Sequence, residues 1–188
     1  MALGLWLLMS VLWPLLTRFL TEVMFAPFGP IGRRVTNPDA WDGYQAERGR
    51  IREFLGTLAQ PVVLTGDMHS SWAFDIPRDP WTGYRAATGD GSLGVELITP
   101  AVSSPPYFTP ALVDTLAPLL ASSLPHLKFM EGQRRGFLLV EASPTRLDAT
   151  WHFSATVTRS SGDIDEVAAG YGIGYFHQVW DKKGGLSR

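Results

Sequence analysis

The sequence contains no cysteine, which excludes disulfide bonds, thiolate metal sites and cysteine nucleophiles. Charged residues are also scarce, at 18% of 188 residues, and the net charge is −2. A nucleic-acid-binding surface requires a basic patch, so this charge balance argues against nucleic-acid partners. Hydrophobic residues make up 45% of the chain and include seven Trp, five Tyr and ten Phe. This composition excludes a disordered chain and provides material for a packed core.

Glycine and proline are frequent, with 19 and 14 residues. So many of them are unusual for a helical bundle and indicate a loop-rich α/β or α+β chain. The length predicts one domain, or part of a larger one.

Residues 1–17 carry no charged side chain, and the first charge is Arg18. Three interpretations stay open. A membrane anchor is one, although the run is short and contains Pro14. A signal peptide is another, although a basic start and a cleavage site are missing. The third is a buried segment or the remnant of a truncation. Residues 1–24 are therefore set apart, and we expect residues 1–17 to form a helix that packs poorly, because its apolar residues surround it.

A helix is predicted to open at residues 41–44, with Asp42 as its N-cap and Gln45 completing a capping box. The spacing of the apolar residues predicts one buried face, with charged residues including Arg48 on the solvent side. The predicted buried residues are Ile51, Phe54, Leu55 and Leu58.

Apolar runs and alternation predict the strands. The run 61–65 is typical of a strand covered on both faces. A second helix is predicted to begin at Thr109-Pro110 and to bend or end at Pro118. Further strands are predicted at 72–76 and 94–100, an antiparallel hairpin at 136–142 and 146–158, and an irregular tail at 159–188.

The strand at 61–65 leads into Gly66-Asp67-Met68-His69 at its carboxyl end, where α/β sheets place their ligands. In an extended backbone, Asp67 and His69 converge on one side of the chain. A carboxylate oxygen and an imidazole nitrogen are ligands suited to iron, zinc or manganese. The alternative is a strand-end turn in which Asp67 caps the backbone and His69 is hydrogen-bonded.

Several motifs together carry a family resemblance. They lie at 41–44, 62–72, 94–105, 125–129, 135–137 and 145–146, and in the strand around Trp151. In order and spacing they resemble the C-terminal half of PhoD-like alkaline phosphatases, a branch of the two-metal calcineurin-like phosphoesterases. The resemblance implies an α/β fold, as an α+β sandwich. It would be the C-terminal half of a four-layer αββα fold with a mixed sheet, over residues 25–158.

By this resemblance Asp67 and His69 are expected to be metal ligands, and the metals iron(III) and calcium. His126 is expected to line the phosphate pocket as a catalytic residue, and Asp42 and Tyr44 to lie near the substrate. Each of the last three has a structural alternative. His126 is otherwise a surface or capping residue, Asp42 a helix cap and Tyr44 a packing aromatic.

Three further residues have open roles. Arg134 and Arg135 are either bidentate phosphate donors or residues of a solvated turn. His152 falls on the wet face of a strand and is expected to be structural or exposed.

The resemblance implies a metal-dependent phosphoesterase that cleaves phosphomonoesters or phosphodiesters with a metal-activated water. Asp39 and Asp42 are the only Asp residues before Asp67, and neither has the strand-end spacing of a metal ligand. We therefore expect a fragment that lacks the N-terminal ligands and is inactive without a missing N-terminal half. The alternatives are an inactive remnant and a small membrane-anchored binding protein. A secreted or membrane-associated location is favoured, with membrane contact through residues 1–17.

Overall fold

The structure is a computed structural model that describes residues 18–21, 23–28, 38–58, 61–142, 146–154, 164–165 and 176–179. Two helices, one short 3-10 turn and nine strands lie in these ranges. In chain order they are β1 (Arg18–Thr21), the 3-10 turn (Trp41–Gly43), α1 (Gln45–Leu55), β2 (Val62–Thr65), β3 (Ser71–Pro77), β4 (Ser92–Ile98), α2 (Pro110–Ser123), β5 (Leu127–Glu131), β6 (Gly136–Ala142), β7 (Arg146–Ser154), β8 (Ile164–Asp165) and β9 (Phe176–Val179).

The first sheet has the strand order β1-β2-β4-β3-β5. Strands β1, β2 and β4 are parallel, whereas β3 runs antiparallel to both β4 and β5. The predicted mixed sheet is therefore confirmed. Because three parallel strands lie side by side, their carboxyl ends share one edge of the sheet.

The second sheet is built on the β6–β7 hairpin, with Gly136 opposite Phe153 and Ala142 opposite Leu147. This confirms the predicted antiparallel pair over 136–142 and 146–154, and its last residues, 155–158, lie outside the described residues. Strands β8 and β9 both pair with β7. They lie in the stretch predicted as an irregular tail, where the structure differs. A short segment with low β-propensity can still form a strand when it pairs with a longer neighbouring strand.

The two sheets pack face to face. Val62, Val95 and Leu97 of the first sheet contact Leu147 and Trp151 of the second in one buried cluster. Complete burial of an aliphatic side chain contributes roughly 1.5–3 kcal/mol, so this cluster helps to attach the hairpin to the first sheet.

The helices cover the other face of the first sheet. Leu120 and Leu124, in and just after α2, pack on Trp72 and Phe74, and Leu55 of α1 packs against Val63 and Ile76 in a neighbouring cluster. The described residues thus form a helix–sheet–sheet arrangement. The fourth layer of the expected αββα fold stays a prediction.

Helix α1 differs from its prediction. It begins at Gln45, and its N-cap Tyr44 makes no side-chain capping bond, so the prediction that Asp42 caps it is wrong. Phe54 is 60% exposed, whereas Arg48 is buried. The inward face of α1 carries the buried Arg48 and Leu55 and the partly buried Ile51, because Arg48 turns inward to pair with the buried Asp42. Apolar spacing alone does not show this pairing.

Helix α2 begins as predicted, because the Thr109 side chain accepts a hydrogen bond from the Leu112 amide and Pro110 opens the first turn. It does not end at Pro118 but continues to Ser123. Leu116 and Leu120, on either side of Pro118, both pack on the sheet, and this burial outweighs the lost backbone hydrogen bond.

None of the helices in the described ranges is long and apolar enough to cross a lipid bilayer. The predicted helix over residues 1–17 lies outside the described residues.

A Gly136→Ala substitution is expected to destabilise the protein by about 1–3 kcal/mol. An added Cβ would lie 1.8 Å from the carbonyl oxygen of His152 and 3.0 Å from Cα of Phe153, so the two strands of the hairpin must separate. Urea unfolding followed by tryptophan fluorescence measures the change.

The matched control is Gly49→Ala in α1, where nothing lies within 4 Å of the added Cβ. This change is expected to stabilise the helix by about 0.5–1 kcal/mol. Equal effects of the two substitutions would contradict the assigned hairpin register.

Candidate functional site

The carboxyl edge of the first sheet carries three connecting segments. Residues 23–28 follow β1 after one intervening position, residues 66–70 follow β2, and residues 99–107 follow β4. Loops at the carboxyl ends of parallel strands are where α/β sheets bind ligands. The predicted metal ligands Asp67 and His69 both lie in the second of these segments.

The turn after β2 has an unusual backbone. Asp67 has a φ of 60° and His69 a φ of 48°, and the Met68 amide donates to the Gly66 carbonyl (2.7 Å). The extended geometry expected from the sequence is therefore wrong here, because both residues are in the left-handed region. Non-glycine residues in this region are strained and cluster at functional sites.

The same turn is fixed from beneath by buried groups. Ser70 is buried, donates its hydroxyl to the Met68 carbonyl (2.7 Å) and accepts from Nε1 of Trp72 (2.7 Å). Met68 packs against the cluster that contains Trp72. Asp67 is exposed, whereas Met68 and His69 are both partly buried.

The imidazole of His69 is held by the loop after β4. Its Nδ1–H donates to the Pro105 carbonyl (2.9 Å), since a carbonyl oxygen can only accept. The ring also stacks on Tyr107, with centroids 4.5 Å apart and planes 2° from parallel. In the neutral ring a proton on Nδ1 leaves Nε2 with a lone pair, the form that binds a metal.

The loop after β4 is held in turn by both sheets. The Thr99 amide donates to the Thr65 carbonyl (3.0 Å) within the first sheet. From the second sheet, Nε1 of Trp151 donates to the Ile98 carbonyl (2.8 Å). Contacts with both sheets therefore hold the start of the loop whose Pro105 carbonyl faces His69.

These residues fit a metal only as part of a ligand set. A carboxylate and an imidazole whose other nitrogen is hydrogen-bonded to a carbonyl are common metal-binding chemistry. In the described part of the chain, however, no group of three or more His, Asp or Glu side chains is placed to hold a metal ion. Asp67 and His69 therefore offer two donor groups, fewer than the three or four protein ligands that a closed metal site takes, and their role as metal ligands stays a prediction.

Glu96 is a buried carboxylate that the sequence motifs did not single out. Oε1 accepts from the Phe25 amide (2.8 Å) and the Thr65 hydroxyl (2.6 Å), and Oε2 accepts from the Ala26 amide (2.7 Å). Burial raises the pKa of Glu96, while these hydrogen bonds and the charge of Arg48 oppose that rise. The available signal was one carboxylate inside the apolar strand run 94–98.

His126 holds the same segment from its other side. It is fully buried, and its Nε2–H donates to the Pro27 carbonyl (2.9 Å). Its ring lies against Phe74 and Trp81, and Nδ1 has no hydrogen-bond partner among the described residues. Burial lowers the pKa of His126 to about 4, and the charges of Lys128 and Arg48 add to this. These contacts are structural, and its catalytic role stays a prediction.

The two residues predicted to contact a substrate, Asp42 and Tyr44, differ in solvent exposure. Asp42 is buried, and its Oδ1 accepts from Nη1 of Arg48 (2.5 Å) in an ion pair. Tyr44 is 63% exposed at the start of α1. Asp42 therefore serves the attachment of α1, and contact of either residue with a substrate stays a prediction.

Two residues near the hairpin have packing roles. The guanidinium of Arg134 lies over the ring of Phe153, 5.2 Å from its centroid. The ring of His152 stacks on Phe137 at 4.8 Å and is partly buried, in keeping with the structural role predicted for it.

Residues 13–151 match a family model described as PhoD-like phosphatase. The chain belongs to this family. It is 28% identical over 152 residues to "Alkaline phosphatase D" of Bacillus subtilis (strain 168). The aligned region covers 79% of this chain and 25% of that protein. A solved structure titled "Structure of PhoD" superposes with a TM-score of 0.69 at 24% identity, covering 90% of this chain and 30% of the other.

The comparisons confirm the family resemblance, and the structural match confirms the likeness of the fold. The chain spans about a quarter of the length of its relative from Bacillus subtilis.

The stability of the protein is expected to fall as pH drops from about 6.5 to about 4, because the unfolded chain binds a proton at His126 that the folded protein excludes. A His126→Gln variant keeps a donor for the Pro27 carbonyl but does not titrate. Between about pH 7.5 and about pH 4.5, the wild type should lose about 2–3 kcal/mol more than this variant in urea unfolding.

Glu96, whose raised pKa acts in the opposite sense, is present in both proteins and cancels in the comparison. Equal losses in wild type and variant would contradict the burial of a neutral His126.

Proposed function

We propose that the chain forms part of a metal-dependent phosphoesterase centre in which Asp67 and His69 are two of the metal ligands. One observation carries the proposal: the Pro105 carbonyl holds the proton of His69 on Nδ1, which leaves the lone pair of Nε2 for a metal, two residues after the exposed Asp67. Membership of the PhoD-like phosphatase family supports phosphate-ester chemistry.

A pair of metal ions, when bound, neutralises phosphate oxygens and supplies an activated water for attack on phosphorus. Two side chains of this protein would contribute donor atoms to such a site. Asp67 brings an anionic oxygen and His69 a neutral nitrogen. The Pro105 carbonyl keeps the proton off Nε2, and the ring of Tyr107 covers one face of the imidazole.

Iron(III) and calcium are the proposed metals. Carboxylate oxygens such as those of Asp67 suit both ions, because both are hard cations. An imidazole such as that of His69 suits iron, whereas calcium takes oxygen ligands. We therefore assign His69 to the iron position.

The remaining ligands are proposed to come from a region equivalent to the rest of the longer relatives, supplied by another part of the protein or by a partner chain. The proposed substrate is a phosphomonoester or phosphodiester. Contact of residues 1–17 with a membrane, and a secreted or membrane-associated location, are part of the same proposal. The alternative is that the protein is a catalytically inactive remnant, and the presence of only two proposed ligands, Asp67 and His69, favours it.

The isolated 188-residue chain is expected to hydrolyse little or no p-nitrophenyl phosphate or bis-p-nitrophenyl phosphate, even with iron(III) and calcium added. Two ligands do not overcome the dehydration of two hard cations. Robust turnover that disappears in His69→Ala would show that the site completes itself, for example across a homodimer, and would contradict this expectation.

Weak metal binding at the two proposed ligands remains measurable. Added Mn²⁺ is expected to broaden the NMR signals of residues 66–70, and Asp67→Asn or His69→Ala should abolish this. His152→Ala is the matched control, because it removes an imidazole outside the site. Broadening that survives both ligand substitutions would contradict the assigned roles, and metal binding in the wild type alone would argue against an inactive remnant.

A further inference from the structure

Arg135 lies immediately before β6 and is fixed to the second sheet. The Ser154 amide donates to the Arg135 carbonyl (2.8 Å), which ties its backbone to β7. The side chain is partly buried, and its Nε–H donates to the Ser104 carbonyl (3.1 Å). A guanidinium that spans from the hairpin to the loop after β4 connects the second sheet to the candidate site.

Consecutive carbonyls of that loop receive the two hydrogen bonds of interest. The Ser104 carbonyl accepts from Arg135, and the Pro105 carbonyl accepts from His69. A third bond, from the Gly136 amide to the Ala101 carbonyl (3.0 Å), holds the start of the same segment. The loop is therefore bound to the second sheet on one side and to the imidazole on the other.

The loop transmits position because it is stiff between these contacts. Pro105 and Pro106 are adjacent, so φ is restricted at two successive residues. Pro105 also restricts Ser104, the residue before it. With so little rotation available, loss of the Ser104 contact is expected to move the Pro105 carbonyl as well.

The position of that carbonyl matters for the chemistry of His69. The neutral imidazole carries its one proton on either nitrogen, and the hydrogen bond at one nitrogen decides which. Without an acceptor at Nδ1, the proton is free to occupy Nε2 and block the lone pair that a metal needs. Stacking on Tyr107 holds the plane of the ring but leaves the proton undetermined.

We propose that Arg135 is a positioning residue, which acts through the Ser104–Pro105 carbonyls to hold the proton of His69 on Nδ1. The proposal rests on the proposed function for its consequence, that Nε2 is available to a metal. The tautomer itself is measurable without any metal.

The experiment is long-range ¹H–¹⁵N NMR of the histidine rings in the metal-free 188-residue chain at about pH 8, with His69→Ala to assign the signals. The wild type is expected to show an unprotonated Nε2 at His69. In Arg135→Ala the ring should shift towards the Nε2–H tautomer, and Mn²⁺ affinity at residues 66–70 should fall by about tenfold or more.

Two further variants separate position from charge and from stability. Arg135→Lys keeps the charge but has no donor at the Nε position, so it should behave as Arg135→Ala does. Arg134→Ala removes the neighbouring charge, which lies over Phe153, and should leave the His69 tautomer unchanged. Wild-type hairpin amide signals in Arg135→Lys show that the fold is intact.

An unchanged Nδ1–H tautomer in a folded Arg135→Ala or Arg135→Lys variant would overturn the proposal. So would an equal change in Arg134→Ala, since that would point to charge alone. A tautomer shift in a protein whose wild type never responds to Mn²⁺ would leave the positioning role standing and would count against the proposed function instead.

Discussion

The buried carboxylate of Glu96 is the contact on which the carboxyl edge of the first sheet depends. It accepts hydrogen bonds from two backbone amides of the segment after β1 and from the hydroxyl of the last residue of β2. Desolvating a carboxylate is costly unless its lone pairs are satisfied, so these donors must stay together for the core to close. One side chain on β4 thereby ties the segment at 23–28 to the sheet.

His126 applies the same constraint from the other side, through the Pro27 carbonyl. The segment is short, and two titratable side chains buried in the core hold it. Its polar backbone atoms would otherwise lie unpaired against Trp72 and Phe74. Both anchors are buried, so the segment at 23–28 is held to the same sheet edge at which Asp67 and His69 lie.

The candidate site is also a product of contact between the two sheets. Trp151 of β7 donates to the end of β4, and Arg135 donates to the loop that faces His69. The imidazole of His69 is therefore connected, through successive hydrogen-bonded contacts, to the hairpin almost seventy residues away in sequence. Removing the second sheet would remove the contacts of Trp151 and Arg135 with β4 and with the loop that faces His69.

The sequence by itself determined the elements whose signals are local. The β-branched run at 62–65, the alternation of the hairpin and the Thr109-Pro110 helix start are patterns of neighbouring residues, and each element formed where it was predicted. The Asp67/His69 pair was singled out in the same way, from a strand end and a family motif, and its role as a metal site stays a prediction. Only the tertiary structure decided the left-handed turn at those residues, the inward side of α1 and the buried roles of Glu96 and His126. Glu96 and His126 depend on partners distant in sequence, Phe25 and Pro27, and a pattern of neighbouring residues contains no information about which distant group satisfies a buried polar side chain.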